Sequence, residues 1–412
     1  MATTSIPRTN QHRVTEGEIG ELIARASKLK RELIDYAAGP EFQKRLGSVL
    51  KEAAGRGNFL DEGSATRAVD HFALQYRLPN GRTVVERFVT QRRPRLSVAD
   101  REMMLGWRDV VEGIFEVTRF DGDGDAVELR NLVDDLDYRA HSNLGRQAFT
   151  ALNVGAFVIC RIVPLSPASG VWLISGHMAA YPESDGTAVA QVAVKAMTTD
   201  PRQLRRNPPL LRRAWEMQAG QRADFIAQTG SDMVVVGAGE AQDILREHYR
   251  RLQDKALWET GERDLPAHTV PEADELGRLP EGLLEAETVA LIYDDVDGLN
   301  FYADFGRLDA LFAEAAAAGD AGQVVDPAGL DQLEGYLHDE SVAPLAIRRL
   351  VDRHPEGADP VFRALLGKPG FTWSRDGEKL LRRCKPTFFG REPVPSVTVL
   401  GERLAQLVGT AE

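Results

Sequence analysis

The chain has 412 residues, a formal charge of −12, 43% hydrophobic residues and 27% charged residues, the balance of a globular protein of two or three domains. The acidic excess argues against wholesale adhesion to nucleic acid or anionic lipid and leaves only local basic patches for such partners. No apolar run reaches the roughly 18 residues that cross a bilayer, and MATTSIPRTNQHR lacks the apolar centre of a secretory signal, so the expected protein is cytoplasmic with no membrane partner.

After a polar start, Ile19, Leu22, Ile23, Ala26, Leu29 and Leu33 recur at helical spacing, and a second helix is expected after Pro40. Residues 70–78 read two ways. Phe72, Leu74, Tyr76 and Leu78 alternate like a strand, while Ser64 could cap a helix running to about Arg77. Asn80-Gly81 signals a turn, and Thr83–Thr90 beyond it reads as a strand, half of a hairpin. Ser97 with Asp100 opens a short helix carrying Met103, Met104 and Trp107.

From Gly113 to Pro182 the period changes to that of strands. GIFEVTRF, AVELRNLV, DYRAH, AFVICRIVPL and VWLISGHMAAYP are rich in β-branched and aromatic residues and are separated by turn-forming stretches. Five strands in so short a span predict a small closed barrel of the SH3 or OB type, because closure removes the sheet's edges. Trp107, GIFEV, AFVICRIVPL and WLISG together resemble a group of uncharacterised bacterial proteins, some of which end in a Cys-rich SEC-C zinc tail. The resemblance spans roughly residues 100–250 and implies no reaction; the cysteine tail is absent, so no zinc is implied.

Helices are expected near 186–200, 207–229 and 239–260, a linker or long loop from Glu262 to Gly282, and a strand at the start of ETVALIYDDVDGLNFYADF. Short helices follow near 305–318, 328–338, 343–353, 358–367, 375–385 and 395–408, with Pro344, Pro360 and Pro395 placed in first turns. The predicted fold class is α+β: N-terminal helices, a small central SH3/OB-like β-barrel, and a mainly helical C-terminal half with a short sheet. The segments are 1–106, a helical region with room for the hairpin; 107–184, the barrel; 185–262, helices with one short strand; and 283–412, the C-terminal domain.

The candidate chemistry is sparse. SDMVVVGAGEAQDILREHY offers Gly237-Ala238-Gly239 between an apolar run and a helix, but a dinucleotide fingerprint needs a small residue where this chain has Gln242, and an acid closing a following strand. Glu240 in the helix's first turn would also repel a phosphate. In RFDGDGDAVEL, Asp121, Asp123 and Asp125 alternate like calcium ligands, yet the positions for the loop glycine and bidentate glutamate hold Ala126 and Leu132, so a hairpin turn is expected. Cys160 and Cys384 are too far apart in sequence and too different in setting to suggest a disulfide framework or a thiolate zinc site. His141 and His177 follow barrel strands and could approach one rim; His71, His248, His338 and His354 are isolated on helix-like segments. No HExxH, GxSxG or Walker motif is present, and no cofactor or metal is assigned.

Two features point to function. Arg202, Arg205, Arg206, Arg212 and Arg213, followed by Trp215, form a phosphate-and-base surface that stands out on an acidic protein. A second basic stretch supplies Arg382, Arg383, Lys385 and Arg391 with Phe388 and Phe389. The sequence therefore predicts a non-catalytic binding or regulatory protein that engages a protein or nucleic-acid partner. The alternative is a divalent-metal phosphoesterase or nuclease built on Asp294, Asp295 and Asp297 at a strand end, since grouped carboxylates can hold an ion that generates hydroxide.

Overall fold

Local caps decide where the first helices begin. Thr15 and Glu18 form a capping box, in which the Thr15 backbone N–H donates to Glu18 Oε2 at 2.8 Å, and helix α1 (Glu16–Ala37) follows, burying Ile19, Ala26, Leu29, Leu33 and Ala37 along one stripe. The computed structural model describes residues 15–55, 61–166, 169–260, 277–318, 326–397 and 399–409. They divide into two units: residues up to Leu210 with those from Leu400 onward, and Leu211–Val399.

In the first unit α1 packs with α2 (Gln43–Ala54), α3 (Glu62–Leu74), α4 (Val84–Gln91) and α5 (Val98–Gly106) around Phe42, Phe72, Leu74, Met104 and Trp107. The cap of α3 is Asp61, whose Oδ1 accepts from the Ser64 N–H at 2.9 Å, so the helical reading of 70–78 holds as far as Leu74. Thr83–Thr90 is not a strand. Thr83 and Glu86 form a second capping box, and the helix that follows turns Val84, Val85 and Phe88 into the core. Reciprocal capping together with burial at i, i+1 and i+4 outweighs the β preference of the valines. Of the expected hairpin only an isolated bridge between Arg77 and Thr83 remains.

Five strands follow: β1 (Val111–Phe120), β2 (Ala126–Asn131), β3 (Asp137–His141), β4 (Phe157–Pro164) and β5 (Val171–Tyr181). They close into a barrel in the order β1-β2-β3-β5-β4, antiparallel throughout except where β3 runs parallel to β5. Phe115, Val117, Leu129, Tyr138, Val158 and Ile162 belong to its core, while Val163, Leu165, Val171 and Leu173 pack against the helical layer. At Gly113 a Cβ would lie 2.6 Å from the Phe115 ring and 2.8 Å from Asn131 Nδ2, so the strand tolerates no side chain there. Helix α6 (Gly186–Thr199) and a 3-10 turn (Pro201–Arg206) come next, and α7 (Pro208–Thr229) starts in this unit.

The second unit is built on a three-stranded antiparallel sheet, β6 (Met233–Val236), β7 (Val289–Asp294) and β8 (Gly298–Ala303), with β7 in the middle. The run VALIY is apolar at every position because both faces of β7 are covered. Val289, Leu291 and Tyr293 meet Phe225 of α7 with Ala241 and Leu245 of α8 (Ala238–Thr260). Ala290 and Ile292 meet Phe305, Leu308 and Phe312 of the next long helix (Phe305–Ala318), together with residues of the helices Pro327–His338, Pro344–Arg353, Pro355–Leu366 and Trp373–Cys384.

Several expectations need amendment. β8 was not anticipated as a strand, and Pro360 lies inside a helix rather than in its first turn. Pro395 belongs to an irregular stretch, since the closing helix starts at Glu402 (Glu402–Gly409) and belongs to the first unit. Most of the linker expected at 262–282 lies outside the described residues; its end forms a short helix at Glu281–Leu284. Among the described residues no helix is long and apolar enough to cross a membrane.

Candidate functional site

The barrel wall of the first unit carries a groove of about 590 Å³. Its floor is built by Ile114 of β1, Ile159 of β4, Val110 and Val133, and α6 contributes Val192, which is 48% exposed. Ile114 and Ile159 stand opposite each other in the β1–β4 ladder and face away from Phe115 and Val158, which fill the barrel. The rim is polar. Arg206 donates to the Val110 carbonyl at 3.0 Å and pairs with Asp109 at 2.7 Å, and Arg202 pairs with Asp200 at 2.6 Å. Lys195, exposed on the same rim, has no carboxylate partner among the described residues.

A buried network sits behind this wall. Tyr138 donates its hydroxyl to Asp134 Oδ2 at 2.6 Å, Asn131 Oδ1 accepts from the Val133 N–H at 2.8 Å, and Asn207 Nδ2 donates to the Asp134 carbonyl at 2.9 Å. Burial pushes the Asp134 carboxyl up to about 6, against the lowering effect of the Tyr138 hydrogen bond. Burial with the neighbouring Asp134 charge pushes the Tyr138 phenol well above its ordinary range.

The outer face of β1, β2 and β3 is charged but balanced. Arg119 pairs with Glu128 at 3.3 Å, Arg130 with Asp135 at 3.0 Å and Asp137 at 2.9 Å, and Arg403 with Glu116 at 2.7 Å through its Nη2. Each of these four acids and three arginines belongs to an ion pair within the unit.

The predicted arginine surface is divided between the units. Arg202, Arg205 and Arg206 belong to the first, whereas Arg212, Arg213 and Trp215 lie on α7 in the second, with both arginines exposed and Trp215 half-buried. In the second basic stretch Arg382 lies 4.5 Å above the Phe389 ring and Arg391 3.5 Å above Phe388, where Arg391 also pairs with Asp297. Lys385 is buried and donates to the Asp339 carbonyl, so it is not part of a cationic surface.

No protein-family model, curated protein or solved structure matches the chain. Any functional reading therefore rests on the geometry of these residues.

Asp294, Asp295 and Asp297 form the β7–β8 hairpin turn, and each has a partner. Asp294 Oδ2 accepts from the Val296 and Asp297 N–H groups at 2.8 and 3.0 Å, Asp295 pairs with Arg222 at 3.2 Å, and Asp297 pairs with Arg391. Among the described residues no three His, Cys, Asp or Glu side chains are placed to hold a metal ion.

The glycine stretch before α8 leads out of an antiparallel strand, not the parallel βαβ unit of a dinucleotide fold. The Gly237 carbonyl accepts from the Ala241 N–H at 2.9 Å, and the buried Gln242 holds the 277–279 segment through the Gly277 carbonyl and the Leu279 N–H. DGDGD is the β1–β2 turn, with Gly124 at φ +73°. His141 lines a cavity at that turn, whereas His177 lies against Gly63 of α3, so the two do not share a site.

The signal for the groove lay in GIFEV. A strand with apolar side chains on both faces needs a cover on its outer side.

Proposed function

We propose that this chain is a non-catalytic, cytoplasmic binding protein whose barrel wall receives a partner protein, in the form of an apolar side chain flanked by a carboxylate. The observation that carries this is the groove itself: Ile114, Val133, Ile159 and the exposed Val192 form an apolar floor beneath a rim of Lys195, Arg202 and Arg206. Its size falls within the range of ligand sites. Arg202 and Arg206 are held by acids, so Lys195 is the cation left to meet the partner's carboxylate.

The strand order, with β3 parallel to β5, supports an OB-type barrel rather than an SH3-type one. OB barrels bind oligonucleotides on the face of strands 2 and 3. Here the arginines of that region face carboxylates, which favours a protein partner over nucleic acid.

The test is fluorescence anisotropy with a library of short peptides that place Leu or Phe beside Asp or Glu. Saturable binding is expected, weakened at least about tenfold by Val192→Glu and by Lys195→Glu, each variant melting like the parent. Peptide binding that both variants leave unchanged would refute the groove. Oligonucleotide binding at low salt that falls in Arg212→Ala with Arg213→Ala would assign the partner to nucleic acid and to the α7 arginines.

A further inference from the structure

In the second unit the Gly367–Gly370 connection and the helix Trp373–Cys384 border a groove of about 660 Å³. Its floor is apolar and includes Phe371 and Leu380, both buried. Its walls are cationic. Arg375, Lys379 and Arg383 recur every fourth residue, so they share one face of the helix over about 12 Å, and Lys368 adds a further charge from the connection. All four are exposed. Asp376, the acid that lines the groove, is paired with Arg375 at 2.7 Å. The side chains of Lys368, Lys379 and Arg383 have neither a hydrogen bond nor an ion pair among the described residues.

Helix stability does not explain this row of charge. Like charges four residues apart repel, and the negative end of the helix favours cations only in its last turn. That accounts for Arg382 and Arg383, but not for Arg375 in the first turn, for Lys379 between them, or for Lys368 outside the helix. From Lys368 to Arg391 seven Lys or Arg accompany two acids, Asp376 and Glu378, in a chain whose net charge is −12, so the local field is opposite in sign to that of the whole. A second, independent feature adjoins the row. Arg382 is exposed, has no acidic partner among the described residues, and lies over the Phe389 ring at 4.5 Å. A guanidinium backed by a ring keeps its other face for stacking.

We propose that this groove binds single-stranded nucleic acid, with successive phosphates along Lys379, Arg383 and Lys368 and a base stacked on the outer face of Arg382. Cations one helical turn apart do not converge on one point, so a chain of phosphates fits them better than a single phosphate. An acidic peptide would satisfy the charges but would leave the guanidinium plane unused, whereas every base has a π-face to lay on it. The surface lies within the second unit and does not rest on the barrel-wall groove.

The experiment follows the anisotropy of a labelled, mixed-sequence single-stranded dodecanucleotide titrated with the full chain at several salt concentrations. Saturable binding is expected at low salt, with a logarithmic salt slope of about −2, the value for three phosphate contacts on a single strand. Lys379→Gln with Arg383→Gln should melt like the parent, weaken binding about tenfold and make the slope shallower by about 1.4. Arg382→Lys keeps the charge and loses the plane, so affinity should fall while the slope stays unchanged. Arg212→Ala with Arg213→Ala should bind like the parent, which separates this groove from the α7 arginines. No saturable binding at low salt, or equal binding by the Lys379/Arg383 double variant, would overturn the proposal. Displacement of the strand by poly-glutamate at matched charge would reassign the groove to acidic peptides and overturn it equally.

Discussion

Lys30 and Asp70 meet at 2.9 Å inside the first unit, where Lys30 Nζ also donates to Ser175 Oγ at 2.6 Å and that hydroxyl donates on to Asp70 Oδ2 at 2.7 Å. The three residues tie α1, α3 and β5 together, and Gly176 beside them sits at φ +77° with room for no Cβ, since one would approach Asp70 Oδ2 to 2.8 Å. Burial lowers the Lys30 pKa while Asp70 opposes that shift, so the ammonium depends on its carboxylate. Asp70→Ala should destabilise the protein by about 3–5 kcal/mol, the cost of leaving a buried charge unpaired, and Lys30→Met with Asp70→Leu should recover most of it. Urea unfolding of the single and double variants measures both. A double variant no more stable than Asp70→Ala would show that the pair does not act as a unit.

In the second unit His248 is buried against Phe225, Tyr249 and Tyr293, and burial pushes its ring down to about 4. The folded state thus binds its proton less readily than the unfolded chain. Stability should be unaffected above pH 6.5 and should fall as pH drops from 6.5 towards 4, by about 3 kcal/mol in all. Hydrogen exchange in α8 against pH reads this out, and His248→Phe should flatten the profile.

Asp134 works in the opposite direction over nearly the same range. Its carboxyl is raised to about 6, so the folded first unit takes up the proton that the unfolded chain takes up only near 3.8. Stability should rise as pH falls from 6 to about 4, by up to roughly 3 kcal/mol, and Asp134→Asn should abolish the slope. Amide exchange in β2 and β3 separates this effect from that of His248. Tyr138→Phe, which removes the hydrogen bond that stabilises the charged form, should extend the slope to higher pH.

Thr83→Ala removes one half of the α4 capping box. The expected cost is about 1 kcal/mol, seen as a lower urea midpoint with unchanged slope. A loss below about 0.3 kcal/mol would mean that burial of Val84, Val85 and Phe88 forms the helix without its cap.

The barrel strands were legible because β-branched and aromatic runs alternate with stretches rich in turn-forming residues, and the long helices because their apolar residues keep a helical period. The order of the strands was not legible, since nothing in DYRAH or VWLISG marks β3 and β5 as parallel neighbours. β8 escaped because Asp297-Gly298 reads as the end of a strand, while its role as a hairpin turn depends on Asp294 accepting two backbone N–H groups two and three residues away. The arginine run was visible as composition, but composition does not reveal that Arg202 and Arg206 already have acids. The groove combines Ile114, Ile159, Val192 and Lys195 from three separate elements, and only the doubly apolar GIFEV hinted at it.

The helix Glu402–Gly409 belongs to the first unit, although Leu211–Val399 intervene in sequence. On the ribosome, where about 5–20 residues are added per second, that interval lasts roughly 10–40 s. Throughout it the barrel strands have emerged while Arg403, the partner of Glu116, has not yet been synthesised. The first unit to begin emerging is therefore the last to be completed, and the nascent barrel must persist for that time with the Glu116 carboxylate unpaired.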